Sequence, residues 1–308
     1  MRCRTCGATA VVNMRQHKLA LCAEHFSAWM FHNTARAIKK YAMIAPGERV
    51  LVAVSGGKDS LALWDVLLRL GYHADGLYIN LGIDGGLAYS ARSQAKAEAF
   101  AAQCTAQFPK TQLFVVDLPT RYEEGIPQLA MRKRREARPC SLCGLVKRHE
   151  MNRMALELGY DVLATGHNLD DEVATLFGNV MRWQTGYLVR QDPVLPADGE
   201  GLARKIKPFC RIYERETAAY ALLQGIDYIE EECPYAKGAT SLQYKETLTQ
   251  MEHDVPGTKL QFYVKFLQAK AEGLFAATAG MPELQPCTTC GQPTTAEGQC
   301  SFCRLWER

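Results

Sequence analysis

Residues 50–71 read VLVAVSGGKDSLALWDVLLRLG, and two different periodicities meet inside them. Residues 50–54 form a short, β-branched, uninterrupted apolar run, as expected of a strand buried on both faces. From Leu61 onward Leu63, Trp64, Val66, Leu67 and Leu70 recur at helical spacing, and Gly71 stands where a helix would stop. Between the two lies SGGKDS. Gly56 and Gly57 permit a tight turn and let the backbone approach a ligand with no Cβ in the way. A helix N-terminus behind them offers unpaired N–H groups and a positive dipole end. Ser55, Lys58 and Ser60 add donors and a charge. The junction is a cradle for an anion.

The pattern is neither G-x-x-x-x-G-K-[ST] nor the G-x-G-x-x-G of dinucleotide folds. SGGKDS after a strand instead resembles the PP-loop of the ATP-pyrophosphatase superfamily, whose members split ATP between the α and β phosphates and place AMP on a carbonyl or amide oxygen. The bland alternative is an ordinary glycine-rich strand–helix turn. The motif by itself gives a superfamily and no substrate.

A chain of 308 residues has room for one main α/β domain and small appendages. No apolar run approaches the roughly 20 residues of a membrane span. Charges and cysteines fill the first six positions, so neither a signal peptide nor a membrane role is expected, and the expected home is the cytoplasm. Twelve cysteines there read as metal ligands or redox groups rather than disulfides. A net charge of +3 does not by itself argue for nucleic acid.

The cysteines fall in groups. Cys3, Cys6, Cys22 and His25 are spaced C-x2-C, fifteen residues, C-x2-H; Cys287, Cys290, Cys300 and Cys303 close the chain with four thiolates. Each short knuckle points two ligands at one ion, and four such ligands complete a tetrahedral structural zinc site. Segments this short cannot bury a core, so the metal supplies their folding free energy. Two zinc ions are therefore expected, in modules covering residues 1–28 and 279–308 around a catalytic domain of residues 29–278. Whether the modules grip RNA or brace the domain stays open.

Strand-like runs at 50–54, 76–80, 113–118 and 161–165 alternate with helical runs at 89–104, 143–158 and 170–181. This implies an α/β, doubly wound parallel sheet with ligands at the C-terminal strand ends. SGGKDS and TGHNLDDE both follow such strands and are expected to face one another. Asp170, Asp171 and Glu172 open a helix, where acids are ordinary dipole partners. One of them near phosphates would orient Mg²⁺ or act as a base, and Asp171 is the choice. His167 is a proton shuttle or a structural strand-end histidine.

In RKRREARPCSLCGLVKRHE, the cations Arg132, Lys133, Arg134, Arg135 and Arg138 precede a cysteine pair, with Lys147 and Arg148 after it. A charge run is usually a solvated face; abutting a metal-type knuckle, this one reads as a grip on RNA phosphates. A helix opened by Cys143 places Lys147 one turn on, where it could neutralise phosphate charge. Cys233, in EECPYAKG, makes a trio with Cys140 and Cys143. The trio suits a 4Fe-4S cluster with one iron free, zinc with Cys210 as fourth ligand, or a redox pair passing a persulfide. Cys104 reads as a buried apolar residue.

The full set of motifs resembles the PP-loop tRNA 2-thiouridine synthetases: CxxC…CxxH, VAVSGGKDS, PCSLCGLVKR, ATGHNLDDE, ECPYA and the four-cysteine tail. The ribothymidine-thiolating branch stands nearest, with wobble-uridine thiolases close by. The cytidine-specific relatives share the PP-loop and the central C-x2-C but lack the terminal zinc modules. The resemblance implies that Cys140, Cys143 and Cys233 hold a 4Fe-4S cluster. It implies ATP contacts at Ala53, Ser55, Gly56, Gly57, Lys58, Asp59, Ser60, Ile79, Lys147, Gly166 and Asp171, with Lys147, Asp171 and Asp59 as catalytic residues. It further implies ATP and Mg²⁺, a tRNA substrate, sulfur arriving as the thiocarboxylate of a ubiquitin-like carrier protein, and a homodimer as the assembly to test.

The activity expected is adenylation of uridine O2 and replacement of that oxygen by sulfur. Two rivals remain: a PP-loop sulfur or amide transferase acting on a small molecule, and a non-catalytic RNA-binding zinc protein. The basic run and paired zinc modules weigh against the first, the intact SGGKDS and cysteine trio against the second.

Overall fold

A computed structural model describes residues 1–134, 139–197, 201–236, 240–275 and 284–307. A short hairpin of β1 (Val12–Met14) and β2 (Leu19–Leu21) opens the chain. The central sheet contains β3 (Arg49–Val54), β4 (His73–Asn80), β5 (Leu113–Asp117), β6 (Val162–Thr165), β7 (Val194–Leu195) and β8 (Arg204–Ile206), in the spatial order β5-β4-β3-β6-β8-β7. All neighbours pair parallel except β7 with β8. A second small hairpin, β9 (Gln285–Pro286) with β10 (Pro293–Thr294), belongs to the C-terminal segment.

The period-2 alternation within β3 divides the core. Val50, Val52 and Val54 join Trp64 and Phe100 on one face of the sheet, whereas Leu51 joins Leu77, Leu163 and Val146 on the other. Both faces are covered, as a parallel sheet requires. From β3 the chain winds outward through β4 and β5, then returns to the opposite side of β3 with β6. The order reverses between β3 and β6, and a crevice opens there beyond the carboxyl ends of the strands.

The doubly wound sheet matches the sequence expectation, and two local features differ from it. The helix expected from Cys143 starts at Pro139 and runs to Glu157, with proline at its first position, where its missing N–H costs nothing. Residues 182–209, which the sequence offers as a Pro/Gly-interrupted loop assigned no further than an RNA-contacting segment, supply the helix Thr185–Arg190 and the β7/β8 edge hairpin. Residue 28 lies inside a continuous helix, Ala23–Lys40, that leads from the first cysteine module into the core. The boundary at 278/279 lies outside the described residues.

Candidate active site

Val54 ends β3 and Lys58 begins the helix Lys58–Arg69, leaving three residues for the turn. Gly56 adopts φ +76°, and a Cβ on it would meet the Ser93 carbonyl oxygen at 2.3 Å. Only glycine fits that combination. Ser60 Oγ closes the loop, accepting from Ser55 N at 3.0 Å and donating to Gly57 O at 3.0 Å. Across the crevice, a Cβ on Gly166 would lie 2.9 Å from Ser60 N, so the turn after β6 rests directly on the first turn of the PP-loop helix.

The PP-loop lysine is already paired. Lys58 Nζ stands 2.8 Å from Glu214 Oε1 and 3.1 Å from Asp59 Oδ2. Glu214 also accepts from Lys245 at 3.0 Å, and Lys245 reaches Asp171 at 2.6 Å. Asp59 accepts from the Thr217 hydroxyl and, at 3.2 Å, from Asn168 Nδ2. Asn168 caps the helix Leu169–Met181 through a reciprocal pair with Asp171, 3.2 and 3.1 Å. Burial works against the charge on Glu214, but Lys245 and Lys58 hold its carboxyl down at about 2. Burial pushes the Asp59 carboxyl up, outweighing Lys58 and Thr217. Lys245 is held above the ordinary lysine value by Asp171 and Glu214 despite its burial.

The three acids of TGHNLDDE separate by partner. Asp170 is locked to the buried Lys259 at 2.5 Å and Glu172 to Lys207 at 2.8 Å, so both are structural. Asp171, with 28% of its side chain exposed, is the one that faces the crevice. His167 is exposed, its Nδ1 2.9 Å from Thr165 Oγ1.

Beside the loop lies a cleft of about 100 Å³ lined by Ala53, Ser55, Ile79, Tyr89, Lys147 and Met151. Its walls are largely apolar, as a base-binding slot requires, and Lys147 is the cation among them. With Cys140 inside the first helical turn, Cys140, Cys143 and Lys147 fall at i, i+3 and i+7 on one face. Cys233 arrives on a separate segment. Ile229 N donates to Gly56 O at 2.9 Å, Glu231 pairs with Arg92 at 2.5 Å, and Pro234 packs on the Gly85 backbone. Cys140 Sγ donates to Tyr235 O at 3.3 Å. Burial and then the charges of Cys233 and Cys143 raise the Tyr89 hydroxyl, and burial raises the Cys143 thiol against the pull of Lys147. Cys140, Cys143, Cys233, Tyr89 and Lys147 thus lie together beside the PP-loop.

The terminal quartets are tighter. The ligand atoms of Cys3, Cys6, Cys22 and His25 lie within 4.8 Å of one another, as do those of Cys287, Cys290, Cys300 and Cys303. Backbone N–H groups aimed at the sulfurs bring the Cys3 and Cys287 thiols down to about 6, although burial opposes this. Four convergent donors, three sulfurs and an imidazole in the first module and four sulfurs in the second, fit one tetrahedral ion in each. The mid-chain trio does not form such a single-ion group, and three soft sulfurs on a wider footprint fit a cluster better than one ion.

Cys210 is fully buried in the apolar layer on the other face of the sheet, its thiol pushed up to about 12 by desolvation. That placement removes the zinc site completed by Cys210. Cys104 is likewise a buried core residue with its thiol raised to about 12. Arg132 and Lys133 are not a free phosphate grip. Arg132 donates to the carbonyls of Leu305 at 2.7 Å and Glu307 at 3.0 Å, and Lys133 to that of Arg304 at 3.0 Å, so they cap the C-terminal helix Cys303–Trp306. Arg134 is exposed and Arg148 folds over Gly144 beside Cys143. Arg135 and Arg138 lie outside the described residues.

Residues 2–27 match the family described as 2-thiouridine synthetase TtuA, N-terminal LIM domain, and residues 30–237 match the PP-loop domain. The chain is 51% identical to the tRNA-5-methyluridine(54) 2-sulfurtransferase of Thermus thermophilus, covering 100% of this chain and 91% of the relative. It is 43% identical to the enzyme of the same name from Thermotoga maritima, over 99% and 96%. The chain belongs to the PP-loop tRNA 2-sulfurtransferase family. Its fold is that of the U34-tRNA thiolase NcsA from Methanococcus maripaludis with its [4Fe-4S] cluster, with a TM-score of 0.79 at 22% identity over 99% of this chain and 95% of that one.

Four residues of the site in this sulfurtransferase-family chain escaped the sequence reading: Glu214, Lys245, Thr217 and Asn168. Glu214 opens the helix Glu214–Leu223, where an acid looks like a dipole partner, and Lys245 is one cation on a mixed polar helix. Asn168 alone carried a signal, as the N-cap before LDDE.

Proposed function

We propose that this protein is an ATP-dependent tRNA 2-sulfurtransferase that activates O2 of a uridine, ribothymidine of the T loop foremost, and replaces it with sulfur. The observation that carries the reading is the shared wall: Lys147 and Tyr89 line the cleft beside Ser55 and also adjoin Cys143 and Cys233. A nucleotide in the cleft and a sulfur source at the cysteines would then meet one base.

Uridine O2 attacks the α-phosphorus of ATP, pyrophosphate leaves, and the adenylated carbon C2 becomes open to sulfur. The chain supplies position and charge for the first step. Ala53 and Ile79 would flank the adenine. Ser55, Gly56, Gly57 and Ser60 would cradle the phosphates, with Lys58 exchanging Glu214 for them. Asp59 and Asp171, both within this charge network, would orient Mg²⁺. Lys147 would neutralise the leaving pyrophosphate. Sulfur from the cysteine side then attacks C2 and AMP departs. A 4Fe-4S cluster on Cys140, Cys143 and Cys233 would offer an iron with no protein ligand as the place where sulfur is carried.

Zinc in the two quartets, a thiocarboxylated ubiquitin-like carrier as sulfur donor, homodimer assembly and a cytoplasmic location complete the proposal, as does the division 1–28, 29–278 and 279–308. Among the described residues no helix is long and apolar enough to cross a membrane. The deciding test is nucleoside mass spectrometry of tRNA from cells with and without this chain. Loss of 2-thioribothymidine supports the reading, loss of a wobble 2-thiouridine moves the target, and an unchanged nucleoside profile overturns tRNA thiolation.

A further inference from the structure

The helix Leu169–Met181 carries Asp171 at one end and leads at the other to an unusual surface. Met181 is 63% exposed, Trp183 75% and Tyr187 59%. Trp183 also sits at φ +47°, in the left-handed region where a bulky side chain is disfavoured. Backbone bonds hold it there: Trp183 N donates to Val180 O at 3.0 Å and Gln184 N to Asn179 O at 2.9 Å. Leu188 is buried beneath the following helix, and Asn179 donates to Gln191 at 3.2 Å. The indole is thus presented on a fixed turn, with its ring in solvent.

Its neighbours are cationic. Residues 181–190 contain Arg182 and Arg190 and no acid. The Arg182 guanidinium lies 5.9 Å from the Tyr244 ring centre and Arg190 lies 5.4 Å from that of Tyr187. Their hydrogen bonds go to Tyr244 Oη and to the Gly186 carbonyl, and neither forms an ion pair among the described residues. Tyr244 packs edge-on against Phe177 at 5.3 Å and immediately precedes Lys245, so this surface is continuous with the catalytic network. Ten residues of helix put it about 15 Å from Asp171.

We infer that Trp183 and Tyr187, flanked by Arg182 and Arg190, form a docking platform for the tRNA substrate, engaging unstacked bases and nearby phosphates away from the reacting nucleoside. The inference rests on the tRNA reading above. Exposed aromatic planes beside unpaired arginines are what stacks single-stranded bases and holds their backbone. A second copy of the chain would be the other occupant of such a surface. A two-fold contact, however, would set this doubly positive, acid-free stretch against itself, where like charges repel.

The test measures binding of an unmodified tRNA transcript to the holoprotein by filter retention, for the wild type, Trp183→Ala, Trp183→Phe and Arg182→Gln. Trp183→Ala is expected to raise Kd about tenfold, with Trp183→Phe recovering most of the loss. Arg182→Gln is expected to flatten the dependence of log K on log salt by about 0.7 to 0.9. The thiolation rate at saturating tRNA and the melting temperature stay unchanged, because the indole packs on little. Wild-type binding that Trp183→Ala leaves intact overturns the platform alone. A fall from dimer to monomer with unchanged Kd overturns it in favour of self-association. A wild type with no affinity for tRNA overturns both the platform and the reading beneath it.

Discussion

The two walls of the crevice are built in opposite ways. The nucleotide wall is one contiguous stretch: a six-residue central strand, a three-residue turn and the helix Lys58–Arg69, with every strand neighbour in register. The cysteine wall is assembled from pieces, the first turn of the helix Pro139–Glu157 and a segment some ninety residues later. The first wall is carried by one strand–turn–helix unit. The second exists only when residues 229–235 dock through Gly56, Arg92 and Gly85. The walls meet at the Gly56 carbonyl, and a change confined to a cysteine side chain tests how far they are separable by mutation.

Cys233→Ala puts the strongest demand on that separation. Loss of one of the three proposed cluster ligands is expected to reduce thiolation more than about 100-fold, since even outer-shell changes at metal sites cost 10 to 100-fold. ATP affinity stays within about twofold, because the segment carrying Cys233 meets the PP-loop through the Ile229 backbone N–H on Gly56 O, a bond in which the Cys233 side chain takes no part. Anaerobic thiolation assays and equilibrium ATP binding read the two quantities on one preparation. Parallel loss of both would mean that the walls are a single unit.

The same contrast governs what was legible in the sequence. Ser55 to Ser60 could be read because the function of the turn is local: glycine freedom, a helix end and short donors. Cys140, Cys143 and Lys147 were legible in spacing, although the helix start was placed four residues late. Pro139 is a good first residue of a helix and marked the true start. Arg132 and Lys133 were read as free cations, whereas Arg132 pairs with Glu124 and both donate to carbonyls more than 170 residues away. No periodicity announces such a contact. Glu214 and Lys245 were invisible for a related reason. Each looks like a helix-surface charge until the helices Glu214–Leu223 and Thr240–Asp254 bring it to Lys58 and Asp171.

Lys245→Met sharpens the comparison from the nucleotide side. It leaves Asp171 and Glu214 without their shared cation, so Lys58 is held more firmly by Glu214 and less available to phosphate. The expected result is a KM for ATP raised about tenfold and a stability loss of about 1–3 kcal/mol, below the cost of breaking a fully buried pair because Lys245 retains 23% exposure. Lys245→Arg restores most of both, and raising Mg²⁺ relieves the KM effect by screening the two carboxylates. Cluster absorbance per chain should not change. A fall in cluster content with normal ATP affinity would assign Lys245 to the opposite wall.

The smallest effect concerns pH and Glu214. Its carboxyl is ordinary at 4.5 when unfolded and near 2 when folded, so it binds protons more weakly in the native state. A depressed carboxylate contributes stability that is fully present above the unfolded value and drains away as pH falls through the folded one. The melting temperature of the wild type should therefore exceed that of Glu214→Gln at every pH above about 4.5, with the gap closing as pH approaches 2. The shift in melting temperature should be small, a few degrees at most, because a third of the side chain meets solvent and salt screens it. A gap that stays constant down to pH 2 would mean that Glu214 acts through its hydrogen bonds alone. Lys58 would then have no carboxylate to release when a nucleotide arrives, and the exchange on the nucleotide wall would lose its driving charge.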